Sequence, residues 1–174
     1  NNQQGILVST GGNTTFSNDF NIISRGNTIT TGSAATIGQN TNVAVGNSSD
    51  GLRVQNRGTG NSSITMASGA ITTYGFNAHG IDTWQRGANA NNTANVSATM
   101  DSGTVDTSGR YSHGVYARSD TGQGLVLATL NGGTINTYGS DSVGVAARNS
   151  AGVTGASGNT VITMNGGTVN TSGY

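Results

Sequence analysis

The chain has 174 residues, seven Arg, seven Asp, and neither Lys nor Glu, so it is formally neutral and only 8% charged. That balance withholds the overall attraction that nucleic acid or an anionic membrane surface exerts on basic proteins. The absence of Cys excludes disulfides and thiolate metal sites, and no apolar run approaches the ~20 residues of a membrane-spanning helix.

With 29 Gly, no Pro and many Asn, Thr and Ser, the chain is also poor in helix formers, so strands and turns are expected throughout. Residues 1–25 are irregular: Gly5-Ile6-Leu7-Val8 and Phe20-Asn21-Ile22-Ile23 read as strands of an N-terminal coil or cap. The first residue is Asn1 and no charged-then-apolar leader opens the chain, which reads as a processed or excised piece. From residue 26 onward a repeat takes over. Thr28-Ile29-Thr30-Thr31-Gly32 reads as its first copy, followed by an excursion to Gly51-Leu52-Arg53-Val54, which aligns with Gly80-Ile81-Asp82-Thr83.

The repeat becomes explicit at Gly69-Ala70-Ile71-Thr72-Thr73-Tyr74-Gly75, which recurs from Gly103, Gly133 and Gly167 as G-x-[IV]-x-T-x-G. Five residues after the second Gly of the template comes another, at Gly80, Gly114 and Gly144, each followed by a β-branched residue. A third apolar segment, Ile64-Thr65-Met66, recurs at Ala98, Ala128 and Ile162. The period is 34, 30 and 34 residues, and the difference of four falls between the second and third segments. Three short alternating segments, two constant corners and one variable loop describe a coil of a solenoid. The expected fold is all-β: a right-handed parallel β-helix with three faces over residues 26–174. Tyr174 falls inside the fourth template copy, which reads as a truncation.

Alternation along each strand separates the faces. Inward columns are Ile71/Val105/Ile135/Val169, Ile81/Val115/Val145, Ile64/Ala98/Ala128/Ile162 and Met66/Met100/Leu130/Met164. Outward columns are Thr72/Asp106/Asn136/Asn170, Asp82/Tyr116/Ala146 and Thr65/Thr99/Thr129/Thr163. Glycines at the corners are expected to supply positive φ.

The run from Gly103 through Ser108-Gly109-Arg110-Tyr111-Ser112-His113-Gly114 to Ala117 resembles the passenger repeats of pertactin-like autotransporters, which are Gram-negative type V secretion proteins. The resemblance covers roughly residues 26–174. It implies display on the outer surface of a bacterium or secretion, with a signal peptide before the passenger and a membrane barrel after it. It also implies adhesion or self-association as the function, with sugars on Ser or Thr in some members. Residues 35–48 resemble the Gly-punctuated repeat of trimeric adhesin heads, but that pattern occurs once.

Chemical sites are sparse. His79 and His113 share a column whose third member is Val143, and without a close carboxylate or Cys two imidazoles fall short of a metal site, so corner packing is the expected role. Asp82, Asp106 and Asp141 fall in three different columns, which does not give the paired carboxylates of a glycosidase. No nucleophile motif, phosphate loop or calcium nonapeptide occurs, so no enzyme, metal or cofactor is expected. An ice-binding array would need paired Thr columns, but the neighbours of the Thr column are Ser63, Ser97, Leu127 and Val161. What remains is a binding surface. Trp84, Arg118 and Arg148 share a column beside Tyr116 at the start of the variable loop, where aromatic and Arg side chains often anchor partners. Together with the Thr65, Thr99, Thr129 and Thr163 column they are the candidate contacts for self-association, a host surface or a matrix ligand. A rigid spacer carrying another domain is the alternative.

Overall fold

The computed structural model describes residues 16–18, 34–37, 40–44, 48, 50–56, 60–86, 92–120, 123–150 and 158–173. After Phe16–Asn18 (β1), the strands follow in groups of three. They are Ala34–Ile37 (β2), Asn40–Ala44 (β3) and Leu52–Asn56 (β4), then Ser62–Met66 (β5), Gly69–Thr73 (β6) and Ile81–Gln85 (β7). Val96–Met100 (β8), Thr104–Thr107 (β9) and Val115–Ser119 (β10) make the next coil, and Val126–Leu130 (β11), Thr134–Thr137 (β12) and Val145–Asn149 (β13) the one after it. Thr160–Met164 (β14) and Thr168–Thr171 (β15) come last.

Each of the four coils from β2 to β13 sends one strand to each of three open sheets, with orders β1-β2-β5-β8-β11-β14, β15-β12-β9-β6-β3 and β13-β10-β7-β4. Neighbouring strands are parallel and paired without slippage, as in Val105 opposite Ile71 and Ile135. This is a three-faced right-handed parallel β-helix, all β among the described residues. With no helix there, none is long and apolar enough to cross a membrane.

The inward columns meet in one core: Leu52, Val54, Ile64, Met66, Ile71, Ile81, Val96, Met100, Val105, Val115, Leu130 and Ile135 are all buried. In the outermost strand β14, Ile162 and Met164 occupy the same columns but have one side uncovered, and both are half-exposed. The template Thr also faces inward. Thr73 and Thr107 are fully buried, and each donates its hydroxyl to a carbonyl five residues on, Ala78 and Ser112, at 2.7 Å. A β-branched residue with a hydroxyl thus packs like Val and also closes the turn that follows.

Only the first glycine of each template copy needs positive φ: Gly69, Gly103, Gly133 and Gly167 lie between 87° and 105°. The corner at Gly80, Gly114 and Gly144 differs from expectation. Those glycines are required by close approach, since a Cβ at Gly114 would lie 2.3 Å from Ile135 Cγ2 and 2.6 Å from the Gly144 carbonyl oxygen. The positive φ of that corner belongs instead to Asn77, Tyr111 and Asp141.

The alignment of Gly51 with Gly80 holds, because Leu52 pairs with Ile81 and Arg53 with Asp82. The strand that precedes the Gly69 copy is β3, where Asn40 stands opposite Gly69. Thr28–Gly32, the copy expected there, lies outside the described residues, as do the strands expected at Gly5–Val8 and Phe20–Ile23. Residues 35–37 and 40–44, within the segment resembling a trimeric head, belong to strands β2 and β3 of the helix, with Ala35 paired to Ile64 and Asn42 to Ile71.

Replacing Val105 by Asp puts an unpaired charge in the core, and is expected to cost about 3–5 kcal/mol in urea unfolding. Thr134→Asp on the outer side of the same sheet should change stability by no more than about 0.5 kcal/mol. Equal losses would contradict the inward assignment.

Candidate functional site

The outer side of the third sheet, β4-β7-β10-β13, brings Arg53, Asp82, Arg118 and Arg148 together with Trp84 and Tyr116. Its outward columns are Arg53/Asp82/Tyr116/Ala146 and Gln55/Trp84/Arg118/Arg148. The corner that leads into it carries Asp50, His79, His113 and Val143.

That corner is a ladder in which each coil's side chain accepts a backbone N–H from the next. Asp50 Oδ1 accepts from the His79 amide at 2.6 Å, His79 Nδ1 from the His113 amide at 3.0 Å, and His113 Nδ1 from the Val143 amide at 3.0 Å. The two imidazoles stack with centroids 5.0 Å apart, and Tyr116 meets both edge-on at 4.9 and 4.8 Å. The expected corner stacking of the histidines is present.

Two sequence-based expectations need correction. Asp82 and Tyr116 do point away from the core, but neither is exposed: Asp82 is 0% and Tyr116 5% accessible. Arg53 and Arg118 close over Asp82, while Tyr116 packs against His79, His113 and Arg118. Arg118 grips Asp82 through Nε to Oδ1 at 3.0 Å and Nη2 to Oδ2 at 2.6 Å, while Arg53 Nε reaches Oδ2 at 2.8 Å. The second correction concerns His79, which does have carboxylates nearby. Ligand atoms of Asp50, His79 and Asp82 lie within 4.8 Å of one another.

The chemistry of that trio does not suit a cation. Because Nδ1 of His79 accepts a backbone hydrogen, the proton of the neutral ring must sit on Nε2, and a metal there would require an imidazolate. The guanidinium of Arg53 also touches both carboxylates. Burial pushes His79 down to about 3, against the pull of Asp82, so the ring is neutral. Burial likewise pushes Asp50 up to about 8; Arg53 opposes this and Asp82 adds to it. For Asp82 burial acts upward, but Arg118 and Arg53 outweigh it and hold the carboxyl below its ordinary range. One carboxyl is thus kept protonated and its neighbour ionised, which limits the charge enclosed under the face.

Trp84, Arg118 and Arg148 are brought into one register as expected. Guanidinium carbons of Arg118, Arg86 and Arg53 lie 3.9, 4.6 and 5.9 Å from the Trp84 ring centroid, and Trp84 Nε1 donates to Asp120 Oδ2 at 2.8 Å. Arg86 and Asp120 were not singled out in the sequence, although each lies just beyond the end of its strand, two residues after Trp84 or Arg118. Arg148 is exposed and forms no ion pair among the described residues.

The threonine column lies on the first sheet. Thr65, Thr99, Thr129 and Thr163 are in strict register, with Thr36 opposite Thr65 extending the line by a coil. Beside it run Ser63, Ser97, Leu127 and Val161, so from β5 to β14 these outward columns contain no charge. The two groups of candidate contacts therefore occupy different faces.

The buried trio makes stability depend on pH. Unfolded Asp50 loses its proton near 3.8 and folded Asp50 near 8, so its contribution falls as pH rises through that window. His79 acts in the opposite sense at lower pH, where stability is lost as pH falls below 6.5 towards about 3. Between pH 6.5 and 8 the Asp50 effect stands alone of the two. Wild type should lose on the order of 1 kcal/mol per pH unit there in urea titrations, and Asp50→Asn should not. A flat wild-type profile would mean that Asp50 is ionised in the fold. The face has to be read from such chemistry, because no protein-family model matches the chain, and comparison with curated proteins and with solved structures gave no match.

Proposed function

We propose that the chain is a non-catalytic segment of a bacterial surface passenger, acting in adhesion or self-association through the threonine face of its β-helix. The observation that carries this reading is the uncharged, in-register face formed by Thr65, Thr99, Thr129 and Thr163 with Ser63, Ser97, Leu127 and Val161. β-Surfaces that stay apart in solution are usually protected by charge, especially Lys. This face has none, and its hydroxyls offer weak hydrogen bonds at a regular spacing of about 4.8 Å. Contacts of this kind become effective only in number, so the strength of association grows with the count of coils and of displayed copies. The resemblance of the Gly103–Ala117 run to pertactin-like passengers supports the outer-surface setting.

A non-catalytic role is supported by the state of the acidic groups. Asp50 and Asp82 are fully enclosed, and Asp82 is held by two guanidiniums, so neither is placed to exchange a proton with a substrate. The continuous core of stacked columns equally suits the second reading, a rigid spacer that holds another domain away from the cell.

The two readings separate on cells. Bacteria displaying the passenger should clump in a way that moderate salt does not abolish, while the purified chain stays mainly monomeric at micromolar concentration. Thr→Glu at 65, 99, 129 and 163 together should abolish clumping by placing like charges one above another. Clumping that survives those substitutions would exclude this face, and display without clumping or host-cell binding would favour the spacer.

A further inference from the structure

The large apolar side chains exposed among the described residues fall into two groups. Val143, Val161, Ile162 and Met164 stand on, or lead into, the last strand of a sheet. The other four, Tyr74, Phe76, Tyr111 and Tyr138, are all aromatic and all lie on one corner, the turn from the second sheet to the third. Each of them has a following coil stacked on it. Tyr74, Ser108, Tyr138 and Ser172 form one column, in which the amides of Ser108, Tyr138 and Ser172 donate to the carbonyls of Thr73, Thr107 and Thr137 in the coil before. Phe76 is followed by the coil of Arg110, and Tyr111 by that of Ser140, whose carbonyl accepts its amide. The exposure of these rings therefore does not arise at the edge of a sheet.

We infer that this corner is a binding site for a neutral polysaccharide built of flat, β-linked pyranose rings. This goes beyond the self-association reading, since it concerns a different part of the coil and a different partner. Such a sugar ring carries C–H groups on its faces and hydroxyls around its rim, and the slightly positive C–H groups suit the negative face of an aromatic ring. Tyr74 and Tyr138 are 58% and 54% accessible, and neither is stacked on another ring among the described residues. With Ser108 between them they stand two strand spacings, about 9.6 Å, apart along the stack. That separation is close to the length of one disaccharide unit in an extended β-linked chain, so one polymer can lie along the corner and meet both rings.

The rest of the corner is fixed in place. Tyr111 has a φ of 58° where the coils on either side place Asn77 and Asp141, at 51° and 57°. Asn and Asp enter that left-handed region readily, whereas a bulky ring does so at a cost. The ring is held there by Phe76, edge-on at 5.6 Å, and by Arg110, whose guanidinium lies 4.5 Å from its centroid and donates to its hydroxyl at 2.7 Å. Arg110 is in turn paired with Asp141 at 2.9 Å, so the two opposite charges neutralise each other and the corner favours an uncharged ligand over an anionic polymer. The Asp141 carboxylate keeps lone pairs for a sugar hydroxyl. Little freedom remains to be lost on binding. A protein partner fits less well, because the tyrosine rings are separated by serines instead of merging into one desolvated pocket. Single-stranded nucleic acid also uses aromatic platforms, but in a positively charged groove that this corner lacks.

The test is titration of the purified chain, followed by calorimetry, with cellohexaose, chitohexaose, cellobiose, α-linked dextran and single-stranded DNA. Tyr74→Ser and Tyr138→Ser introduce the residue that the same column already accepts at Ser108 and Ser172, and Thr129→Ala on the first sheet is the control. Unchanged circular dichroism and urea midpoints establish that the variants fold. One or both hexasaccharides should bind with little dependence on salt, roughly tenfold more weakly in either Tyr→Ser variant and unaltered in Thr129→Ala. Tyr74→Trp, which keeps an aromatic face in place, should bind at least as well as wild type. Cellobiose, too short to use both rings fully, should bind at least roughly tenfold more weakly than cellohexaose. Absence of binding to both hexasaccharides, equal binding of dextran or of cellobiose, or no loss in the Tyr→Ser variants would overturn the proposal. So would binding of DNA as tightly with the same dependence on Tyr74, or self-association of the purified chain that the Tyr→Ser variants abolish, since the corner would then serve another partner. Cell clumping is not used as a readout, so failure here leaves the threonine face untouched.

Discussion

The structure depends on one constraint: consecutive coils stack in fixed register, so each residue lies about one strand spacing from its counterpart above and below. Backbone hydrogen bonds impose the register even at the corners, where the Gly80 amide donates to the His113 carbonyl and the Gly114 amide to that of Val143. Steric contact reinforces it. A Cβ at Gly109 would lie 1.7 Å from the Gly75 carbonyl oxygen, and one at Gly139 1.8 Å from that of Gly109. Coils this close leave no room for a one-residue slip, which would turn every inward side chain outward.

Register converts a column in the sequence into a physical stack, and this bears hardest on polar groups. Identical amides can satisfy one another in a line, as Asn170 Nδ2 does to Asn136 Oδ1 and Asn136 Nδ2 to Asp106 Oδ1. A second such line joins Asn165, Asn131 and Asp101. Both begin on an Asp, which only accepts, and continue in Asn, which accepts and donates. Identical charges have no such arrangement. Arg53 therefore stands over Asp82, and Arg118 leans across from the neighbouring column to share the same carboxylate. The low charge content of the chain follows from this geometry.

The apolar columns were legible in the sequence because two periods coincide, the alternation within a strand and the repeat of 30 or 34 residues between coils. Gly51 could be aligned with Gly80 for the same reason, and that alignment already placed Asp50 in the column of His79. Its importance went unseen because a carboxylate is an unexpected member of a histidine column, and its function there is to accept a backbone hydrogen. Asp82 and Tyr116 were assigned the right direction and the wrong exposure. Alternation reports where a side chain points, but whether water reaches it depends on long neighbours such as Arg53 and Arg118 folding over it. The strand paired with the Gly69 copy carried no such mark, because Asn40 stands where later copies have Gly. The template Thr was visible as a fixed letter, while its reason, a buried hydroxyl closing the next turn, needed coordinates.

A solenoid of this kind separates its chemistry by face, since each column keeps to one sheet for the whole length of the stack. The first sheet presents hydroxyls and small apolar groups without charge, whereas the third encloses two carboxyls beneath arginines and an indole. The variable loop follows the third sheet, leaving its strands just after Trp84, Arg118 and Arg148. Changes in loop length therefore leave the stacked columns in register. The first sheet is bounded on its downstream side by the constant corner at Gly69, Gly103, Gly133 and Gly167, which fixes its columns more closely. A repeating contact is best supported by the constant face and a particular ligand by the face next to the variable loop.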